Sequence, residues 1–125
     1  MTDTKGITTQ FSPVLAIQTL RDNAVEIEQI GKEIENKKLQ LIVALSKLMD
    51  AEKQARKDVF TKEIKASLAR DYIKLMVAEE QKIYSILKEE VKMLEDRSRI
   101  IVEVNNSLKA SFKIHELEAR NLSLN

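Results

Sequence analysis

An apolar seam with alternating steps of three and four residues runs through positions 17, 20, 24, 27, 31, 34, 38, 41, 45, 48, 52, 55 and 59. Ten of those thirteen are apolar: Ile17, Leu20, Ala24, Ile27, Ile34, Leu41, Leu45, Leu48, Ala55 and Val59. Only a helix brings residues at that spacing back to one face. Sustained over about six heptads, the pattern predicts one long helix in a coiled coil or bundle. Gly31, Lys38 and Glu52 interrupt it, while Ile30, Ile42, Ala44, Met49 and Ala51 flank and widen it. A widened stripe points to a multi-helix core more than to a two-stranded zipper.

The seam is densest from Leu39 to Met49, where eight of eleven residues are apolar. Leu41, Leu45 and Leu48 share one stripe, with Ile42 and Met49 beside it and Leu39 and Val43 on other faces. A helix that is apolar most of the way round must be covered on more than one side. The stretch is too short to cross a bilayer, which takes about 20 apolar residues.

The start of the helix is marked. Ser12 can cap the free amide groups of a first turn, and Pro13 suits the first helical position, where its missing donor costs nothing. Positions 1–11 are polar and aperiodic, which reads as a mobile tail ahead of a single helical domain over 12–125. The first bend is expected near Lys57-Asp58-Val59-Phe60, with Asp58 capping a second helix. A second stripe then runs through Ile64, Leu68, Tyr72, Ile73, Leu75, Met76, Ile83, Ile86, Leu87, Val91, Leu94, Ile101, Val104 and Leu108, interrupted by Glu80, Glu90 and Arg97. Asn105-Asn106-Ser107 is a run of poor helix formers, each costing ~0.5 kcal/mol relative to Ala, and marks a candidate turn. The expected fold is all-α: a long antiparallel helical hairpin, coiled coil or bundle, with helices at about 13–56, 59–105 and a short C-terminal one at 107–122. Two glycines and one proline in 125 residues leave too few turn residues for a β-rich domain.

A hairpin folding back near Val59 sets Lys38 opposite Glu80, so that both interruptions meet at one level and fix the register. It also sets Gly31 opposite Leu87. A hairpin alone cannot cover Leu39–Met49 on every side. A homodimer or higher homo-oligomer can, with two hairpins forming a four-helix bundle. The competing arrangement is a monomeric bundle with further breaks near Gly31 and Asp96. The residues expected to carry core and assembly are Leu41, Leu45, Leu48, Ile73, Met76 and Ile83.

The sequence carries no chemical motif. There is no cysteine, which excludes thiol catalysis, disulfides and cysteine-based zinc sites. His115 is the single histidine; with Glu118 beside it, it falls short of the paired Glu-x-x-His motifs of di-iron bundles and reads as a rim residue. Glu52, Glu80 and Glu90 on the stripes are expected to pair with cations or reach water, not to act as acid–base groups. No phosphate loop, nucleotide fingerprint or catalytic triad is present, so no cofactor or metal is expected and the chain reads as a non-enzyme. A net charge of +1 makes no general case for nucleic acid or an anionic membrane. Locally, residues 53–74 hold seven basic against three acidic side chains, and Lys53, Arg56, Lys57, Lys62 and Lys65 could form a basic contact surface. Aromatics make up 4% and do not interleave with that charge, which argues against stacking on single strands. The first ten residues lack the apolar core of a signal peptide, so a cytoplasmic location is expected. The function expected is protein–protein interaction by a self-associating scaffold or adaptor. The rivals are a nucleic-acid-binding module using 53–74 and a small inhibitor, chaperone or export adaptor that takes one partner protein.

Overall fold

The computed structural model describes residues 11–124, which form three helices and no strand: α1 (Pro13–Thr61), α2 (Ala66–Met76) and α3 (Ala78–Leu124). A long helix packs against another, so the fold is all-α and of the helical-hairpin kind. Positions 1–10 of the expected tail lie outside the described residues. Phe11 does not belong to a tail: its ring meets Phe112 edge-on at 5.1 Å and tilts against His115 at 5.4 Å. Ser12 caps α1, accepting from the Leu15 amide at 3.3 Å through its hydroxyl and from the Ala16 amide at 2.9 Å through its carbonyl.

The chain turns back at Lys62–Lys65, about five residues later than the sequence reading placed it. Val59 and Phe60 are still helical. The end is a Schellman motif: the Ile64 amide reaches the Val59 carbonyl at 3.1 Å and the Glu63 amide reaches the Phe60 carbonyl at 3.3 Å. Glu63 takes the left-handed position, with φ 51°, where glycine is usual. Thr61 also donates its hydroxyl back to the Lys57 carbonyl at 3.2 Å. A stop made by backbone geometry, with no Gly or Pro in it, leaves little trace in the sequence.

The next break is equally unmarked. α2 ends at Met76 and is capped by Val77, whose φ −102° and ψ 6° lie in the bridge region, and α3 begins at Ala78. Asn105-Asn106-Ser107 does not break the helix; α3 runs through it to Leu124, so there is no separate helix at 107–122. The Asn105 side chain is engaged instead, accepting from Asn23 Nδ2 at 2.8 Å. A polar group satisfied across the helix pair no longer competes with the helical backbone, and that competition is what makes Asn a poor helix former.

The seam sits one residue away from the expected one at every second position. Along α1 the inward-facing seam runs 16, 20, 23, 27, 30, 34, 37, 41, 44, 48, 51, 55 and 58, with Pro13, Glu26, Glu52 and Val59 also half-buried beside it. Leu20, Ile27, Ile34, Leu41, Leu48 and Ala55 belong to both patterns. Ile17, Ala24, Gly31, Lys38 and Leu45 are exposed, and their N-terminal neighbours face inward instead. Two of the three supposed interruptions are thereby replaced by Ile30 and Ala51. Ala16, Ala44, Ala51 and Ala55 make the true seam a small-residue surface, which lets a facing helix come close. From Val77 through α3 the matching seam is 77, 80, 84, 87, 91, 94, 98, 101, 105, 108 and 112.

The chain divides into two compact units. In the unit Lys32–Glu95 the core is Leu48, Ala55 and Val77, with Ala51, Ile73 and Tyr84 packed against it. Burying a side chain such as Leu48 contributes ~1.5–3 kcal/mol. The other unit joins Met1–Gly31 to Asp96–Asn125. It holds the Asn23–Asn105 pair, buried Ala16 and Ile30, and an ion pair between Glu26 and Arg97, whose Nε donates at 3.0 Å.

Candidate interaction surface

The expected assembly residues divide into two groups. Leu48 is 6% exposed and Ile73 packs on it, while Leu41 is half-buried in the same seam. Leu45, Met76 and Ile83 lie outside the core and are 40%, 48% and 46% exposed. They are partly covered by their neighbours and stand beside the inner seam instead of in it.

The proposed register pair does not form. Lys38 lies 3.6 Å from Glu95, and its neighbour Lys37 lies 2.8 Å from Glu90. Facing residue numbers therefore add to about 130 instead of 118, the shift expected when the turn moves from Val59 to Lys62–Lys65. Glu80 is left half-buried on the α3 seam, and its Oε2 has no hydrogen-bond partner among the described residues. Gly31 does not receive Leu87 either; a Cβ built there meets nothing within 4 Å.

Within Lys32–Glu95 both long helices carry a second apolar face. On α1, Leu39 and Val43 are 61% and 54% exposed, with Ile42 and Met49 exposed on the other flank; on α3, Ile83, Ile86 and Met93 are 46–63% exposed. Ile83, Ile86, Glu90 and Met93 repeat the three-and-four spacing of a helix-packing stripe, offset from the inner seam. Between the helices lies an open groove floored by Ala44 and Leu87, walled by Leu39, Val43 and Ile83, and rimmed by Gln40 and Lys47. The sequence marks Leu39–Met49 as apolar most of the way round but does not reveal that α3 presents its own outer stripe on the same flank. The signal is present in the spacing of Ile83, Ile86 and Met93; the first two were absorbed into a single broad stripe and Met93 was left out because the inner register was misplaced.

The basic candidates Lys53, Arg56, Lys57, Lys62 and Lys65 are all exposed. They do not form a uniform field. Asp50 and Glu52 share a shallow depression with Lys53 and Arg56. The Lys62 ammonium lies 4.0 Å from Asp58 and 3.4 Å from the Tyr72 hydroxyl, which donates to Asp58 at 3.4 Å. Exposed pairs of this kind contribute at most ~1 kcal/mol, but they offset local charge that a phosphate would need. His115 is exposed, with its ring beside Phe11. Among the described residues no group of three or more His, Cys, Asp or Glu side chains is arranged to hold a metal ion, and no helix is long and apolar enough to cross a membrane.

No family model matches the chain, and no curated protein or solved structure is significantly similar to it.

Proposed function

We propose that this chain is a non-enzymatic protein–protein interaction protein, a self-associating helical scaffold. The observation that carries the reading is the second apolar face of Lys32–Glu95, where Leu39, Val43, Ile83, Ile86 and Met93 are about half or more exposed while each helix already has an inner seam. Contiguous apolar surface rimmed by charge marks an interaction site. A helix with two apolar stripes is built for two neighbours. The reading places the chain in the cytoplasm, with protein as its partner.

Thermal unfolding tests it. Self-association couples folding to protein concentration, so Tm rises as the chain is concentrated. A Tm that stays constant over a hundredfold range removes self-association and moves the same apolar face to the adaptor reading, in which one foreign protein fills it by a helix-in-groove mode. The exposed lysines and arginines from Lys53 to Lys65 favour a third reading, nucleic-acid binding. That reading requires affinity for DNA or RNA that falls steeply with salt. The interleaved Asp50, Glu52 and Asp58 argue against it.

A further inference from the structure

We infer that the groove between α1 and α3 is filled by the same groove of a second copy, helices antiparallel about a two-fold axis beside Ile86, so that two Lys32–Glu95 hairpins complete a four-helix bundle. This rests on the self-association reading and adds to it the face, the partner and the register.

Area is the first support. Leu39, Val43, Ile83, Ile86 and Met93 are 61%, 54%, 46%, 49% and 63% exposed. At roughly 1.45 Å² of accessible surface per dalton of extended chain, these five expose about 450 Å² per copy. A stable interface removes about 800 Å² per partner, of which about 57–65% is apolar. The patch therefore supplies the apolar share of one standard interface on one flank. Shape is the second support. A stripe stepped by three and four residues accepts another stripe of the same step, and a two-fold contact of a face with itself needs no other partner. Charge is the third. Lys82 stands four residues before Ile86 and Glu90 four residues after it. An antiparallel two-fold contact centred on Ile86 brings each copy's Lys82 to the other's Glu90, twice, at the edge of the apolar strip, where Glu90 already holds Lys37 of its own chain at 2.8 Å through one carboxylate oxygen. The chain's own first ten residues are a poor occupant, since Met1 and Ile7 are their only large apolar side chains.

The absence of native cysteine makes the test clean. In the full chain, Ile86→Cys is expected to give a covalent dimer with a short bismaleimide linker, and Ile42→Cys, on the other flank of α1, is expected to give none. Lys82→Glu is expected to raise the dissociation constant roughly tenfold with an unchanged helical spectrum. A dimer that cross-links at Ile42→Cys but not at Ile86→Cys overturns this face and leaves self-association standing. Dimerisation unaffected by Lys82→Glu overturns the two-fold register. A chain that scatters light as a monomer at every concentration overturns the inference together with the reading beneath it.

Discussion

Glu63→Gly should stabilise this protein, although it removes a whole side chain from a helical chain. Glu63 sits at φ 51° in the Schellman motif that ends α1. A residue with a Cβ costs ~1–2 kcal/mol in the left-handed region. Glycine relieves that cost but gives the unfolded chain more freedom, which returns ~0.4–1 kcal/mol. The Glu63 side chain makes no core contact, being exposed, so nothing else is lost. The net gain is about 0.5–1 kcal/mol, and for a chain of this length it should raise Tm by about 2–4 °C. The assay is far-UV circular dichroism at one fixed protein concentration, since Tm can depend on concentration. Glu63→Ala is the control: it removes the same charge and reach but keeps the Cβ, so it should leave Tm nearly unchanged. If Glu63→Gly melts at or below the wild type while Glu63→Ala matches it, the left-handed stop at this position is wrong, and the turn and register built on it are wrong too.

Three further outcomes follow from the same geometry. Gly31→Ala should stabilise by about 1 kcal/mol, because Gly31 lies inside α1 with open space where a Cβ would go; a loss of stability in a urea titration would place a neighbour against it. Leu48→Ala should cost ~2–5 kcal/mol, whereas Leu45→Ala, cut from a position 40% exposed, should cost less than half as much; equal losses would restore the seam expected from sequence. For Asn23 and Asn105, Asn105→Leu alone should cost about 1 kcal/mol by leaving Asn23 without its partner, and adding Asn23→Leu should recover that loss or more; purely additive losses in a double-mutant cycle would show that the two side chains do not interact.

The all-α fold was readable because the three-and-four spacing constrains little else. The seam was half readable. A stripe through Leu20, Ile27, Ile34, Leu41, Leu48 and Ala55 can be completed by the residue three before or four before each member. The sequence favours Ile17 and Leu45 over Ala16 and Ala44 on hydrophobicity alone. Close packing of two helices favours the alanines, and that preference appears only when both helices are present. The turn was not readable, because Val59–Ile64 stops the helix through backbone bonds with glutamate in the glycine position. The same holds for the break at Val77, a buried β-branched residue held in the bridge region next to Leu48 and Ala55. Moving the turn by five residues moved every facing pair by about ten. That is why Lys38 meets Glu95 instead of Glu80, and why Ile83 and Ile86 of the outer stripe were counted with the core while Met93 was passed over. Of the candidate site, the broad apolarity of Leu39–Met49 was legible; its partner on α3 was not.

The claim on which the functional reading stands is that the outer face of Lys32–Glu95 is covered by another copy of the chain. The most direct measurement is the solution mass of the full chain by light scattering after size exclusion, across a range of loading concentrations. The expected result is the mass of two or more chains, falling toward one on dilution. A mass of one chain at every concentration would contradict it.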